Sequence, residues 1–133
     1  EYKKTLESKY PNAKFYGGVF EREQQLEIAK GCLAGAYGGD AGLSVVHYMA
    51  FGLPVIVHSE IGKHMGPEPS YVEHNVNGLN FERGSVKSLS KMVLKLKEDR
   101  KLRSRLAIGA LNKFKALQEP AMHEKFIKIL GLN

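Results

Sequence analysis

"GGDAGLSVVHYMAFGLPVIVHS", residues 38–59, is the stretch whose reading decides the fold. It is apolar enough to suggest a membrane span. However, Gly52 and Pro54 break it, and Ser44 and His47 interrupt its first half. Gly38, Gly39 and Asp40 read as a turn. Residues 42–51 read as a helix that is apolar nearly all round and therefore buried. Gly52 ends that helix, and Pro54 opens "PVIVH", a run of β-branched residues typical of a strand. "CLAGAY", residues 32–37, precedes the turn as a short buried strand. Strand, turn, helix, strand, with apolar rather than alternating strands, predicts a parallel sheet covered on both faces.

Working outward, residues 2–10 read as a helix ended by Pro11, and "AKFYGGV" (13–19) as a strand leaving through Gly17–Gly18. Residues 21–30 form a helix with Leu26 and Ala29 inward. A loop rich in Gly, Pro and His covers 59–69. "NGLNFERG" (77–84) gives a turn, a strand and a turn. Ser85 is a fitting N-cap for a helix to Glu98, with Val86, Leu89, Met92, Val93 and Leu96 on one stripe. Helices over about 100–117 and after Pro120 follow. Leu102, Leu106, Ala110, Phe114 and Leu117 point inward on the first, and Met122, Phe126 and Leu130 on the second. A single Rossmann-like domain over 1–133, closed by helices over 106–133, is expected.

Length and composition bound the class. The 133 residues suffice for one core, and 43% apolar with 26% charged residues is ordinary for a globular domain. The lone Cys32 excludes an internal disulfide and reads as core, so a reducing cytoplasmic setting fits. The start carries no signal-peptide pattern. The net charge of +6 arises wholly beyond residue 60. Lys87, Lys91 and Lys95 recur every fourth residue, either as a solvated helix face or as an attraction for an anionic partner, lipid headgroups at the inner face of a membrane or a phosphorylated substrate. Vesicle binding that persisted in high salt would count against the second reading. No basic run is interleaved with aromatics, so no nucleic-acid partner is expected.

In a parallel sheet, ligands gather at the carboxyl ends of the strands. That groups the loops at 17–20, 38–42 and 59–68. The glycines at 38, 39 and 42 allow close backbone approach, and a helix starting near Ala41–Gly42 aims free N–H groups at the same place, as suits a phosphate. Ser44 and His47, three residues apart, share a face. Ser44 can add a hydroxyl to an anion. His47 is either a core histidine bonded to a carbonyl or a ligand of a sugar hydroxyl. His58, His64 and His74 lack a recognised zinc spacing, so no metal is expected.

"GLSVVHYMAFGLPVI", with "NVNGLNFERGSVKSLSKMV" later, resembles the carboxy-terminal domain of the family-4, or group 1, glycosyltransferases, which have the GT-B fold. Met49-Ala50-Phe51-Gly52-Leu53-Pro54-Val55-Ile56 matches the family's closing run in full, Gly66-Pro67-Glu68 its Pro-Glu element, and Asn77-Gly78-Leu79 its Asn-Gly-Leu turn. Gly39 and His47 stand where the family has two glutamates, one on the donor sugar and one on the ribose. A subgroup reading Gly-Leu-Thr-x-x-His, with a histidine where His58 stands, resembles the chain more closely.

The resemblance implies the donor-binding half of a retaining glycosyltransferase that moves a hexose-type sugar from a nucleotide diphosphate to a glycan or lipid-linked acceptor. It implies no cofactor beyond that donor. The implied donor-site residues are Gly17, Gly18 and Val19 at the base, Gly39, Asp40, Ala41, Gly42, Leu43 and Ser44 at the sugar and diphosphate, His47 at the ribose, and Glu68 over the donor. It also implies that an acceptor domain and the first strand–helix units belong to a larger enzyme. A strand from a second copy would then have room in the sheet, which a monomer mass would contradict. The alternatives are a non-catalytic nucleotide-sugar-binding subunit and an epimerase of similar architecture.

Overall fold

Four consecutive residues from Val55 to His58 are buried, which is possible only for a strand covered on both faces. This strand, β2 (Val55–His58), is the middle of a three-stranded parallel sheet of order β1-β2-β3. β1 (Gly35–Ala36) pairs with it through Gly35–Val55 and Ala36–Ile56. β3 (Gly78–Phe81) pairs from Val55–Gly78 to His58–Phe81. The computed structural model describes residues 2–131. It contains two compact units, Glu1–Gly31 and Cys32–Asn133.

Strand alternation sorts β2 between two cores. Val55 and Val57 pack with Ala41, Val45, Met49, Val72 and Ala110. Ile56 packs with Leu79, Phe81, Leu96, Leu102 and Leu106. The first core is roofed by α3 (Ser44–Ala50), the second by α4 (Val86–Glu98), and α5 (Arg100–Gln118) contributes to both. The connections are tight. Ser85 caps α4 by accepting from the Ser88 N–H at 3.2 Å, and Asp99 caps α5 by accepting from the Leu102 N–H at 2.8 Å. Two short 3₁₀ turns, Ile61–Lys63 and Glu68–Tyr71, lead from β2 towards β3. The mixed α/β, Rossmann-like architecture expected from the sequence is what forms.

The second unit ends in α6 (Met122–Leu130), whose Phe126 and Leu130 are exposed rather than inward. The Met122 side chain lies outside the described residues. Val86 and Val93 of α4 are likewise exposed, because the sheet is narrow and α4 meets it along the Leu89, Met92 and Leu96 line. Cys32 is exposed, not core. The lysines of α4 border an open groove with Ser90, Leu94 and Glu98. Among the described residues no helix is long and apolar enough to cross a membrane.

The first unit holds α1 (Tyr2–Lys9) and α2 (Arg22–Lys30), with Ala29 buried and Leu26 exposed. The strand expected over 13–19 does not form. β-propensity alone does not make a strand, which needs a neighbour's N–H and C=O groups. The ordered contact there is local: Gln25 Nε2–H donates to the Val19 carbonyl at 2.8 Å. Strand β1 is also shorter than the six residues expected, and α3 starts at Ser44 rather than Gly42.

Candidate functional site

The loop at residues 38–42 leaves the carboxyl end of β1 and is fixed by side chains from three other segments. Asp40 is the hub. Its Oδ1 accepts from His58 Nε2 at 3.0 Å and Arg83 Nε at 3.1 Å, and its Oδ2 from Arg83 Nη2 at 3.2 Å. His58 ends β2 and is fully buried. Arg83 follows β3, 43 residues along the chain from Asp40. The planar guanidinium fits both carboxylate oxygens at once, a geometry a lysine could not reproduce.

The next residue is held through its backbone. The Ala41 N–H donates to His64 Nδ1 at 3.0 Å, and the Ala41 carbonyl accepts from the Met65 N–H at 2.9 Å. The Ala41 methyl is fully buried in the first core. His64 Nε2 donates to the His58 carbonyl at 3.0 Å, and the two imidazoles stack at 3.6 Å with planes 8° apart. Phe81 meets the His58 ring edge-on at 6.2 Å.

This support leaves the outer part of the loop open. Gly38, Gly39, Asp40, Glu60, Arg83 and Gly84 line a cleft of about 360 Å³. A side chain at Gly39 would meet nothing within 4 Å. The helical ladder begins with the Val45 N–H donating to the Gly42 carbonyl at 3.0 Å. The N–H groups of Gly42, Leu43 and Ser44 precede it and find no partner among the described residues.

The residues singled out by sequence are therefore distributed as follows. Gly39, Asp40, Ala41, Gly42, Leu43 and Ser44 form one continuous loop and helix start. His47 is exposed on α3, so it is not a core histidine, and its imidazole has no partner among the described residues. Glu68 opens the second 3₁₀ turn. Its Oε2 is enclosed, lies where a side chain on Gly66 would have to go, and has no hydrogen-bond partner among the described residues. Gly17, Gly18 and Val19 belong to the amino-terminal unit. Arg83 was missed altogether, and His64 was considered only as a metal ligand. No spacing rule could find a partner 43 residues away. The terminal position of His58 on its strand was the one visible signal.

Asp40 and Arg83 hold each other charged. The Arg83 hydrogen bonds first, and then His58, keep the Asp40 carboxyl below its ordinary 3.8, and Asp40 in turn raises Arg83. A carboxyl lowered in the folded state contributes stability above its unfolded pKa and loses it as pH falls through the folded value. The Asp40–Arg83 pairing of the loop is thus expected to persist at neutral pH and to be lost only in acid below about pH 4. A ¹³C carboxylate titration should place the Asp40 midpoint below that of a free aspartate, and Arg83→Ala should move it up. A midpoint unmoved by the substitution would contradict the pairing.

The family model for group 1 glycosyl transferases matches residues 9–113. No curated protein matches the chain.

Proposed function

Since the chain belongs to the group 1 glycosyl transferases, we propose that residues 38–44 form the diphosphate-receiving part of a nucleotide-sugar site. On this reading the chain is the donor-binding part of a retaining enzyme. That enzyme passes a hexose-type sugar to a glycan or lipid-linked acceptor held by a further domain. The observation that carries it is the row of three N–H groups at Gly42, Leu43 and Ser44 with no partner among the described residues, behind a loop whose position Asp40, His58, His64 and Arg83 impose. Glycosyl transfer turns a bound phosphodiester into a departing diphosphate. Fixed amide dipoles that need no reorganisation stabilise the charge that grows there.

The side chains then take separate tasks. Ser44 adds a hydroxyl to the same anion. His47, one turn on and exposed, donates to or accepts from a ribose hydroxyl. Arg83 lies on the cleft wall and gives Nε and Nη2 to Asp40, so on this reading its task is to shape the loop. The reaction on this reading needs no metal, as the family resemblance implies. A second reading, a non-catalytic nucleotide-sugar-binding subunit, is favoured by Asp40 itself. Both of its oxygens are engaged, and the adjacent Gly39 offers no side chain to a sugar hydroxyl. Sugar transfer by the acceptor-bearing protein would exclude that subunit.

A calorimetric titration with UDP, GDP, ADP, CDP and dTDP tests the shared premise. One nucleotide is expected to bind, and Ser44→Ala and His47→Ala should each weaken it by about three- to tenfold, the worth of one hydrogen bond. A folded chain that binds none of the five would contradict the proposal.

A further inference from the structure

The stacked imidazoles do more than fill space. A ring nitrogen that accepts a hydrogen bond carries no proton, so the Ala41 N–H fixes His64 as the tautomer protonated on Nε2. That second nitrogen is satisfied in turn by the His58 carbonyl. His64 is therefore fully bonded as a neutral ring, and a further proton would set an N–H against the Ala41 N–H. His58 offers no refuge for such a proton. Its Nε2 already faces Asp40, and its Nδ1 is enclosed with no acceptor among the described residues. Two imidazolium rings stacked at 3.6 Å would also repel.

Asp40 stands on the 38–42 loop, Arg83 follows β3, and Glu60, Lys63 and Glu68 lie on the connection that carries His64. Glu60 acts on Arg83, and Asp40 is already neutralised by that arginine. None of the hydrogen bonds among these groups reaches His64 Nδ1 except that of Ala41.

We infer that His64 is a positioning residue. Neutral, it holds the Ala41 amide and with it the diphosphate loop. Protonated, it releases that amide, so nucleotide binding weakens in acid. This rests on the donor-site reading of residues 38–44, but the hydrogen bond itself can be tested without any ligand. Two substitutions separate the two ring nitrogens. His64→Asn places an oxygen where Nδ1 was and keeps an acceptor for Ala41. His64→Gln places its amide near Nε2 and does not.

The experiment is amide hydrogen exchange at Ala41, with Leu79 and Leu106 as core references, compared at neutral pH and in mild acid above the range where carboxylates protonate. It is paired with titration of the best-binding nucleoside diphosphate from the panel above. The native chain should lose Ala41 protection and about tenfold in affinity towards the acid end while the core references stay protected. His64→Asn should show a flat pH profile and recover part of the affinity that His64→Gln and His64→Ala lose. Ala41 protection that is independent of pH, or equal behaviour of the Asn and Gln variants, would overturn the inference. If no nucleotide binds, the donor reading fails, and Ala41 exchange still decides the role of His64.

Discussion

Gly78→Ala is expected to destabilise the fold by about 3 kcal/mol or more, at the upper end of what overpacking costs. An added Cβ would lie 2.2 Å from the Val55 carbonyl oxygen and 2.7 Å from Val72 Cγ1. Val55 is the strand partner of Gly78. The methyl can be accommodated only by opening the β2–β3 pairing at its first rung or by pushing Val72 out of the core. Neither neighbour is the far end of a flexible side chain. A domain of this size has roughly 5–15 kcal/mol in hand, so one methyl takes a large share. The denaturation midpoint should fall with an unchanged slope. An unchanged midpoint would mean that the strands are not spaced as described.

Gly109→Ala pits two effects of opposite sign against each other. Gly109 lies inside helix α5, where exchanging glycine for alanine would ordinarily stabilise by about 1 kcal/mol. Here the new Cβ would come within 2.1 Å of the Val76 carbonyl oxygen and 3.3 Å of Asn77 Cα. The helix is also tied to this turn from either side. The Arg105 guanidinium donates to the Asn75 carbonyl, and Lys113 pairs with Glu73 at 2.7 Å. Beneath it, the buried Asn77 side chain accepts from the Glu73 N–H and donates to the Tyr71 carbonyl, each at 2.8 Å. The helix cannot lift without straining these links. The backbone clash should win, leaving a net loss of about 2 kcal/mol. A stabilised variant would show that propensity decides and that the helix stands further from the turn.

These two glycines also show where sequence reading reaches its limit. Gly78 was legible as part of an Asn-Gly-Leu turn, which suggests a residue needed for backbone freedom. The left-handed residue at this turn is Asn75, with φ of 63°, and Gly78 is there because two backbones meet. Residues 38–59 were readable because burial imposes a one-dimensional pattern: β-branched residues in β2, and an apolar helix ended by Gly52. The stripe of α5 was readable for the same reason, and the Ser85 cap of α4 from its residue type at a helix start, whereas the Asp99 cap of α5 was not read. Residues 13–19 had the composition of a strand but no partner to pair with. The support of the 38–42 loop was unreadable because Asp40, His58, His64 and Arg83 meet only after the sheet has formed. Nothing in the local sequence around Arg83 distinguishes it from a solvated surface arginine.

The central claim is that the loop at residues 38–42 and the start of α3 receive a diphosphate. Chemical-shift mapping of the ¹⁵N-labelled chain with the nucleoside diphosphate that binds best tests it most directly. The account predicts the largest perturbations at the amides of Gly39, Gly42, Leu43 and Ser44, with the α4 lysines little affected. Perturbations centred on Lys87, Lys91 and Lys95, with the loop amides unmoved, would show that the nucleotide is held by surface charge and would contradict the account.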